Sequence, residues 1–369
     1  MLYFDHSATT PIHPEVAEKL DYINREHYAN PSSIYNQGRK AKSLIENARK
    51  QVADAIGAKS DQIFFTSGGT EANNQVLWNS IENDKKHIIA SSIEHPAVIR
   101  VINKIRSFGI TSSLASVDED GTVDIDSILK LVNDDTGLVS IMLANNEVGT
   151  IQPIKEIAKK ITRFNIPFHT DAVQALGKIP VDVTSLGVDY LSLSAHKFYG
   201  PKGIGALYIK NKKTLKSFIV GGEQESGLRG GTENIAGIIG MGIAAEIAAK
   251  DIDSCYSHLK HLEDYFLAKL HLISSNFIRN GNSNNCLPGL ISISFKGHKS
   301  DVLMAKLDRK NIAVSNGSAC NTGNIKPSNI LKEMGIGDDL NLSTLRISFG
   351  KNNNEKEIDK LIEALKEIL

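Results

Sequence analysis

Lys197 closes an apolar strand pattern in Ser192-Leu193-Ser194-Ala195-His196-Lys197-Phe198-Tyr199-Gly200-Pro201, beside Ser194 and His196 and ahead of a Gly/Pro turn. A lysine removed from water loses its charge readily and can form a Schiff base with an aldehyde. A surface lysine at a turn is the other reading. Phe65-Thr66-Ser67-Gly68-Gly69-Thr70-Glu71 runs a strand into two glycines and a hydroxyl, and a helix pattern begins at once. Glycines let backbone N–H groups approach an anion, and a helix N-terminus favours negative charge. Gly69 and Thr70 are therefore candidates for a phosphate cradle, with an ordinary tight turn as the alternative. His169-Thr170-Asp171-Ala172-Val173-Gln174 sets Asp171 at the carboxyl end of a buried-looking strand, where open α/β sheets bind ligands. A carboxylate there needs a partner. A protonated ring nitrogen would serve, and so would the N-terminus of the next helix. An anion cradle, a pyridinium-pairing acid and a Schiff-base lysine together describe a site for pyridoxal 5'-phosphate, PLP.

Two further residues stand out. Cys320 lies in Ser315-Asn316-Gly317-Ser318-Ala319-Cys320-Asn321-Thr322-Gly323, among small polar residues without apolar periodicity. This reads as an exposed loop in which a thiol can be a nucleophile if its surroundings favour thiolate. An incidental loop cysteine is the other reading. Cys255 and Cys286 have no such setting and read as structural. Arg346 interrupts the strand-like Ser343-Thr344-Leu345-Arg346-Ile347-Ser348-Phe349. Arginine suits two-point binding of a substrate carboxylate, and a solvent-facing position on an edge strand is the alternative.

The elements that must hold these residues alternate along most of the chain. Pro14 opens a helix with Val16, Leu20 and Ile23 on one face, and Ala41, Leu44, Ile45, Ala48, Val52 and Ile56 mark a longer one ended by Gly57. Strands are predicted at 62–65, 87–90, 111–117, 137–144 and 167–170, with helices at 95–108 and 154–164, and a strand pair at 189–194 and 205–209. This order predicts βαβ units and a largely parallel sheet. Beyond residue 250 come a helix at 259–272, a polar stretch at 280–286, a strand at 290–295, a helix at 302–310 and a final helix capped by Asn354 and Glu357. The expected class is α/β, with a large domain over 14–250 and a smaller α+β domain formed by 1–13 and 251–369. The 369 residues suit two domains. Lys plus Arg, 42, equal Asp plus Glu, 42, which argues against a general nucleic-acid binder. No apolar run is long enough for a membrane helix, and Met1–His6 lacks the features of a signal peptide. Three cysteines without a C-x-x-C pair fit a reducing cytoplasm and rule out a disulfide scaffold; the sequence offers no metal site.

The chain resembles the cysteine desulfurases of the NifS/IscS type, fold-type I PLP enzymes of the class V aminotransferase family. The resemblance runs nearly end to end. It is carried by Tyr3–Thr10, Asn30–Ser33, Thr66–Glu71, Glu94–Val98, Asn145–Gly149, Thr170–Gly177, Ser194–Gly200, Gly227–Arg229, Gly231–Asn234, Gly317–Cys320 and Leu345-Arg346. It is similar to the group with the longer cysteine loop, here about 315–326. The resemblance implies that Lys197 holds PLP, His95 stacks on its ring and helps move protons, Asp171 pairs with the ring nitrogen and Gln174 with the ring hydroxyl. It also implies that Gly69, Thr70, Ser194 and His196 hold the phosphate, while Thr232 reaches the phosphate of the other subunit of a homodimer. Asn146 lies beside the cofactor, Asn146 and Arg346 bind the substrate carboxylate, and Cys320 accepts sulfur.

The implied reaction converts L-cysteine to L-alanine, leaving a persulfide on Cys320 for a sulfur-acceptor protein, a scaffold or thiol carrier. Iron–sulfur cluster assembly, tRNA thiolation and DNA phosphorothioation are the candidate destinations. A selenocysteine lyase or another class V PLP enzyme is the alternative. The chain departs from the family pattern at Tyr35, Glu223 and Ser226. The charge lost at Ser226 bears on whichever acceptor docks there.

Overall fold

The computed structural model describes residues 1–316 and 326–369. Among them, a seven-stranded sheet has the order Ile63–Thr66, Gly205–Ile209, Tyr190–Ser194, Phe168–Asp171, Thr136–Ser140, His87–Ser91, Thr111–Ala115. The last five strands run parallel. Gly205–Ile209 is antiparallel to both of its neighbours, so Ile63–Thr66 runs in the common direction again. Six strands therefore point their carboxyl ends to one edge, at Thr66, Ser91, Ala115, Ser140, Asp171 and Ser194. That edge is where ligands bind in open α/β sheets.

Alternation along the strands sends side chains to both faces. Ile63, Phe65 and Ile89 enter one apolar cluster, with residues of helices Asn36–Ala55, Ile154–Ile161 and Ile235–Lys250. Phe64, Ile88 and Ala90 enter another, with residues of helices Gly69–Trp78 and Pro96–Ile105. A sheet covered on both faces explains why six of its seven strands are buried along their whole length rather than alternating.

A separate three-stranded antiparallel sheet has Leu290–Phe295 between Phe277–Asn280 and Thr344–Ser348. Its cluster includes Leu259 and Phe266 of helix Ile252–Ile273, Leu303 of helix Ser300–Asp308, Leu361 of helix Glu355–Ile368, and Phe4. Each such side chain, fully buried, contributes about 1.5–3 kcal/mol. Leu2–Tyr3 pairs in parallel with Ile312–Ala313 and tethers residues 2–4 to this region.

Most predicted elements are present, and the differences have physical causes. The strand expected at 137–144 stops at Ser140, because Ile141–Ala144 continue the apolar run as buried chain outside the strand. The polar stretch expected after 280 is preceded by strand Phe277–Asn280, whose mixed burial gave no clear pattern. Helix Ile235–Lys250 was not anticipated, since it is buried on nearly every side and has no polar face to set a period.

Candidate active site

Five of the six strand ends deliver a group to one cavity of about 350 Å³. After Thr66 the chain turns through Gly68 at φ 155° and starts helix Gly69–Trp78. A Cβ on Gly69 would lie 2.5 Å from Cγ2 of Val173, so only glycine fits between this turn and the segment after Asp171. Glu71, in the first helical turn, accepts from the Ser67 N–H at 2.8 Å and pairs with Arg229 at 3.1 Å. The first N–H groups of a helix have no intrahelical acceptor. A neighbouring depression of about 330 Å³ here is lined by Gly69, Thr70, Ser194, His196, Thr9 and Lys202.

After Ser91 comes buried Glu94. Its Oε1 accepts from Ser91 Oγ at 2.5 Å and from the Met142 N–H at 2.8 Å. Burial pushes this carboxyl up to about 8, with the charge of Asp171 adding to it. His95 follows and caps helix Pro96–Ile105, its Nδ1 accepting from the Ala97 N–H at 3.1 Å. Burial lowers its pKa, so the ring is neutral and its proton sits on Nε2.

Asp171 ends its strand nearly buried. Oδ2 accepts from Asn73 Nδ2 at 2.6 Å and Oδ1 from the Val173 N–H at 3.0 Å. The carboxylate thus caps the turn that follows, where no helix begins, and lines the cavity. Lys197 ends the turn Ala195–Lys197 after strand Tyr190–Ser194. Its Nζ donates to the carbonyls of Ser7 at 2.6 Å and Ala8 at 2.8 Å. Burial, then the nearby Arg346 charge, brings its pKa down to about 8. His196 Nδ1 meets Thr9 Oγ1 at 3.1 Å, and burial lowers this ring to about 4.

Arg346 is 3% exposed, which excludes the solvent-facing reading. It donates from Nη1 to the Asn146 carbonyl at 2.9 Å and pairs through Nη2 with Asp5 at 2.8 Å. Among the described residues, Arg346 Nε, Asn146 Oδ1 and Asn73 Oδ1 are buried without a hydrogen-bond partner. Arg346 and the two asparagines line the cavity. Buried polar atoms without partners are rare, and unmet ones in a cavity mark a place for a polar ligand.

The cavity gathers Gly69, Thr70, His95, Asn146, Asp171, Gln174, Ser194, His196, Lys197 and Arg346. Thr232 is exposed and does not line it. Cys320 lies outside the described residues, as does most of the loop expected at 315–326. The flanks of that stretch are fixed by the site itself. Ser315 exchanges both backbone hydrogen bonds with Arg346, at 3.1 and 2.6 Å, and Ser328 Oγ donates to buried Glu147 at 2.5 Å. Sequence reasoning missed Asp5, Ser7, Asn73 and Glu147. Asn73 was within reach, because position i+4 shares a helix face with Gly69. The Ser7 contribution is a backbone carbonyl, which no residue type encodes.

The Aminotransferase class-V family model matches residues 2–361. The chain belongs to the class-V aminotransferase family. It is 43% identical over 371 aligned residues to a cysteine desulfurase IscS of Dictyoglomus turgidum, covering 100% of this chain and 94% of the relative. The corresponding protein of Methanosarcina thermophila is 42% identical, with 100% and 92% covered. A solved structure described as a NifS-like protein superposes with a TM-score of 0.93 at 36% identity, covering 100% of this chain and 98% of the other. Enzymes of this family and type are PLP-dependent. The cavity fits that cofactor in chemistry: a desolvated lysine for its aldehyde, a carboxylate for its ring nitrogen, and a glycine-bearing helix start for its phosphate. Among the described residues, no helix is long and apolar enough to cross a membrane.

Proposed function

We propose that this family member is a cysteine desulfurase that converts L-cysteine to L-alanine and passes the sulfur to an acceptor protein. The observation that carries this reading is one cavity lined by a desolvated lysine, a doubly hydrogen-bonded carboxylate and a buried arginine with an unmet Nε–H. The IscS-type relatives supply the choice of substrate.

PLP, when bound, supplies an electron sink that acidifies the substrate Cα–H and allows its Cβ–S bond to break. Lys197 Nζ would hold the cofactor aldehyde and, when free, could take and return the substrate Cα proton. Its pKa near 8 leaves a useful neutral fraction for this work at neutral pH. Asp171, held in place by Asn73 and the Val173 N–H, would keep a proton on the pyridine nitrogen. His95 would offer its Nε2–H to the ring. Gly69, Thr70, Ser194 and His196 take the phosphate, and Gln174 the ring hydroxyl. Arg346 Nε and the Asn146 side chain bind the substrate carboxylate. Cys320 thiolate attacks the substrate sulfur: a Cys320 S–S bond forms, the substrate Cβ–S bond breaks, and the carbon fragment leaves as alanine after protonation. L-cysteine plus the Cys320 thiol balances L-alanine plus a Cys320 persulfide.

Residues 14–250 act as the cofactor-binding domain, and 1–13 with 251–369 as the smaller domain; the packing of Phe4 with residues 255–365 supports that division. Exposed Thr232 completes the phosphate site of a second copy in a homodimer. The acceptor docks near the Cys320 loop in the cytoplasm. The exposed Ser226 in place of arginine separates its acceptor from those that need a positive charge there. The test is incubation with L-cysteine and assay of alanine and reducible sulfide. Cys320→Ser is expected to keep PLP and bind cysteine yet form no persulfide. Wild-type alanine production by that variant, or sulfur mapped to Cys255 or Cys286, would sink the reading.

A further inference from the structure

Lys178 has no place in the chemistry above, yet it is 8% exposed and close to the cavity wall. Its Nζ donates to Gln174 Oε1 at 2.9 Å. On its other side Gln174 Nε2 donates to the Ser7 carbonyl at 2.9 Å. The two neighbours demand the same orientation of the amide. A carbonyl only accepts, so nitrogen must face Ser7. The lysine donates, so oxygen must face Lys178. An amide nitrogen has two hydrogens; one is used on Ser7 and the other remains for the cavity that Gln174 lines. We propose that Lys178 is a positioning residue that locks the Gln174 amide through Oε1, so that an N–H and never a carbonyl oxygen faces the ring oxygen of PLP.

This rests on the PLP reading given above. Burial, with the charges of Lys197 and Arg346, brings Lys178 down to about 7. A neutral amine donates as an ammonium does, so the lock holds in both forms. A buried amine is costly to keep, and the positioning role accounts for one beside a cavity-lining amide.

Lys178→Met keeps length and removes the donor. PLP affinity, measured by titrating the stripped protein and following bound-PLP absorbance, is expected to weaken about tenfold, the scale of one lost hydrogen bond in a buried site. The pH at which the visible band changes is expected to move in the same direction as in Gln174→Leu. In the Gln174→Leu background, Lys178→Met is expected to change neither reading by more than about twofold, because pairs that act through one contact are not additive. Wild-type affinity and absorbance in Lys178→Met overturn the inference, as does an undiminished effect in the double variant. Should Lys178→Met fail to fold, Gln174→Glu decides. Its carboxylate can still accept from Lys178 but offers no N–H to the cavity, so the fold is expected to survive with PLP affinity lost as in Gln174→Leu. Wild-type PLP binding by Gln174→Glu overturns the inference. Wild-type protein that binds no PLP overturns the functional reading and this inference together, whereas wild-type binding with a silent Lys178→Met overturns this inference alone.

Discussion

The seven-stranded sheet sends groups into the cavity from five strand ends, whereas the three-stranded sheet sends one, Arg346 from strand Thr344–Ser348. The first region is a parallel sheet covered on both faces, and its carboxyl edge is a natural place to converge side chains. The second is a small antiparallel sheet backed by helices, and its residues near the cavity are Arg346 and the Ser315 backbone paired with it. The contrast separates two tasks. On the function proposed above, holding the cofactor falls to the larger region, and gripping the substrate carboxylate depends on the smaller one being correctly placed.

The strongest way to break the comparison is Lys197→Ala. Turnover is expected to fall by on the order of 10³-fold or more, and borohydride reduction should no longer fix PLP to the chain. A reduced adduct on another lysine in the wild-type protein would show that the larger region holds the cofactor differently. Arg346→Leu probes the other side. KM for L-cysteine is expected to rise roughly 10- to 100-fold, the worth of a charge-assisted hydrogen bond, while PLP affinity changes by less than about threefold. Equal losses in both quantities would erase the division of tasks.

Glu94→Gln sharpens the account of the larger region through pH. In the folded protein Glu94 keeps its proton up to about 8, and in the unfolded chain only to its ordinary value near 4.5. The folded state therefore holds more protons between these values. The stability this gives is present below 4.5 and lost as pH rises toward 8. Relative to wild type, the glutamine variant should gain up to about 1 kcal/mol per pH unit across that window, measured by urea unfolding of the PLP-free protein. A constant difference from pH 5 to 8 would refute the protonated acid. The smallest effect is expected at the link between the regions. Ser328→Ala removes the cap of helix Asn329–Glu333 and the contact to Glu147, for about 1 kcal/mol of stability, with PLP affinity unchanged. A tenfold loss of PLP from this variant would show that the two tasks are not separate.

Part of the cavity was legible because a strand end followed by Gly, Asp or Lys is a local pattern, whereas His95, Asn146 and Gln174 came only from the family resemblance. Lys197, Asp171 and Gly69-Thr70 each sit within a few residues of an apolar run, and the sheet brings the runs side by side. Arg346 was legible as a candidate but not as buried, since its ion pair is with Asp5, 341 residues away. Helix Ile235–Lys250 escaped because burial on nearly every side removes the periodicity that marks a helix. The roles of Ser7 and Ala8 escaped because their carbonyls, not their side chains, meet Lys197.

The pairing of Leu2–Tyr3 with Ile312–Ala313, and of the Ser7 N–H with Ser348 Oγ at 2.8 Å, has a consequence for the order of synthesis. The carbonyls that receive Lys197 and Gln174 belong to a segment that is translated early but stays unanchored until residues more than three hundred positions later have left the ribosome. Loop closure over that span is slow relative to local folding. The large sheet can thus assemble co-translationally while its cavity still lacks a wall. Under the proposed function, stable capture of PLP then waits until the chain has been made through Ser348, the residue that anchors Ser7.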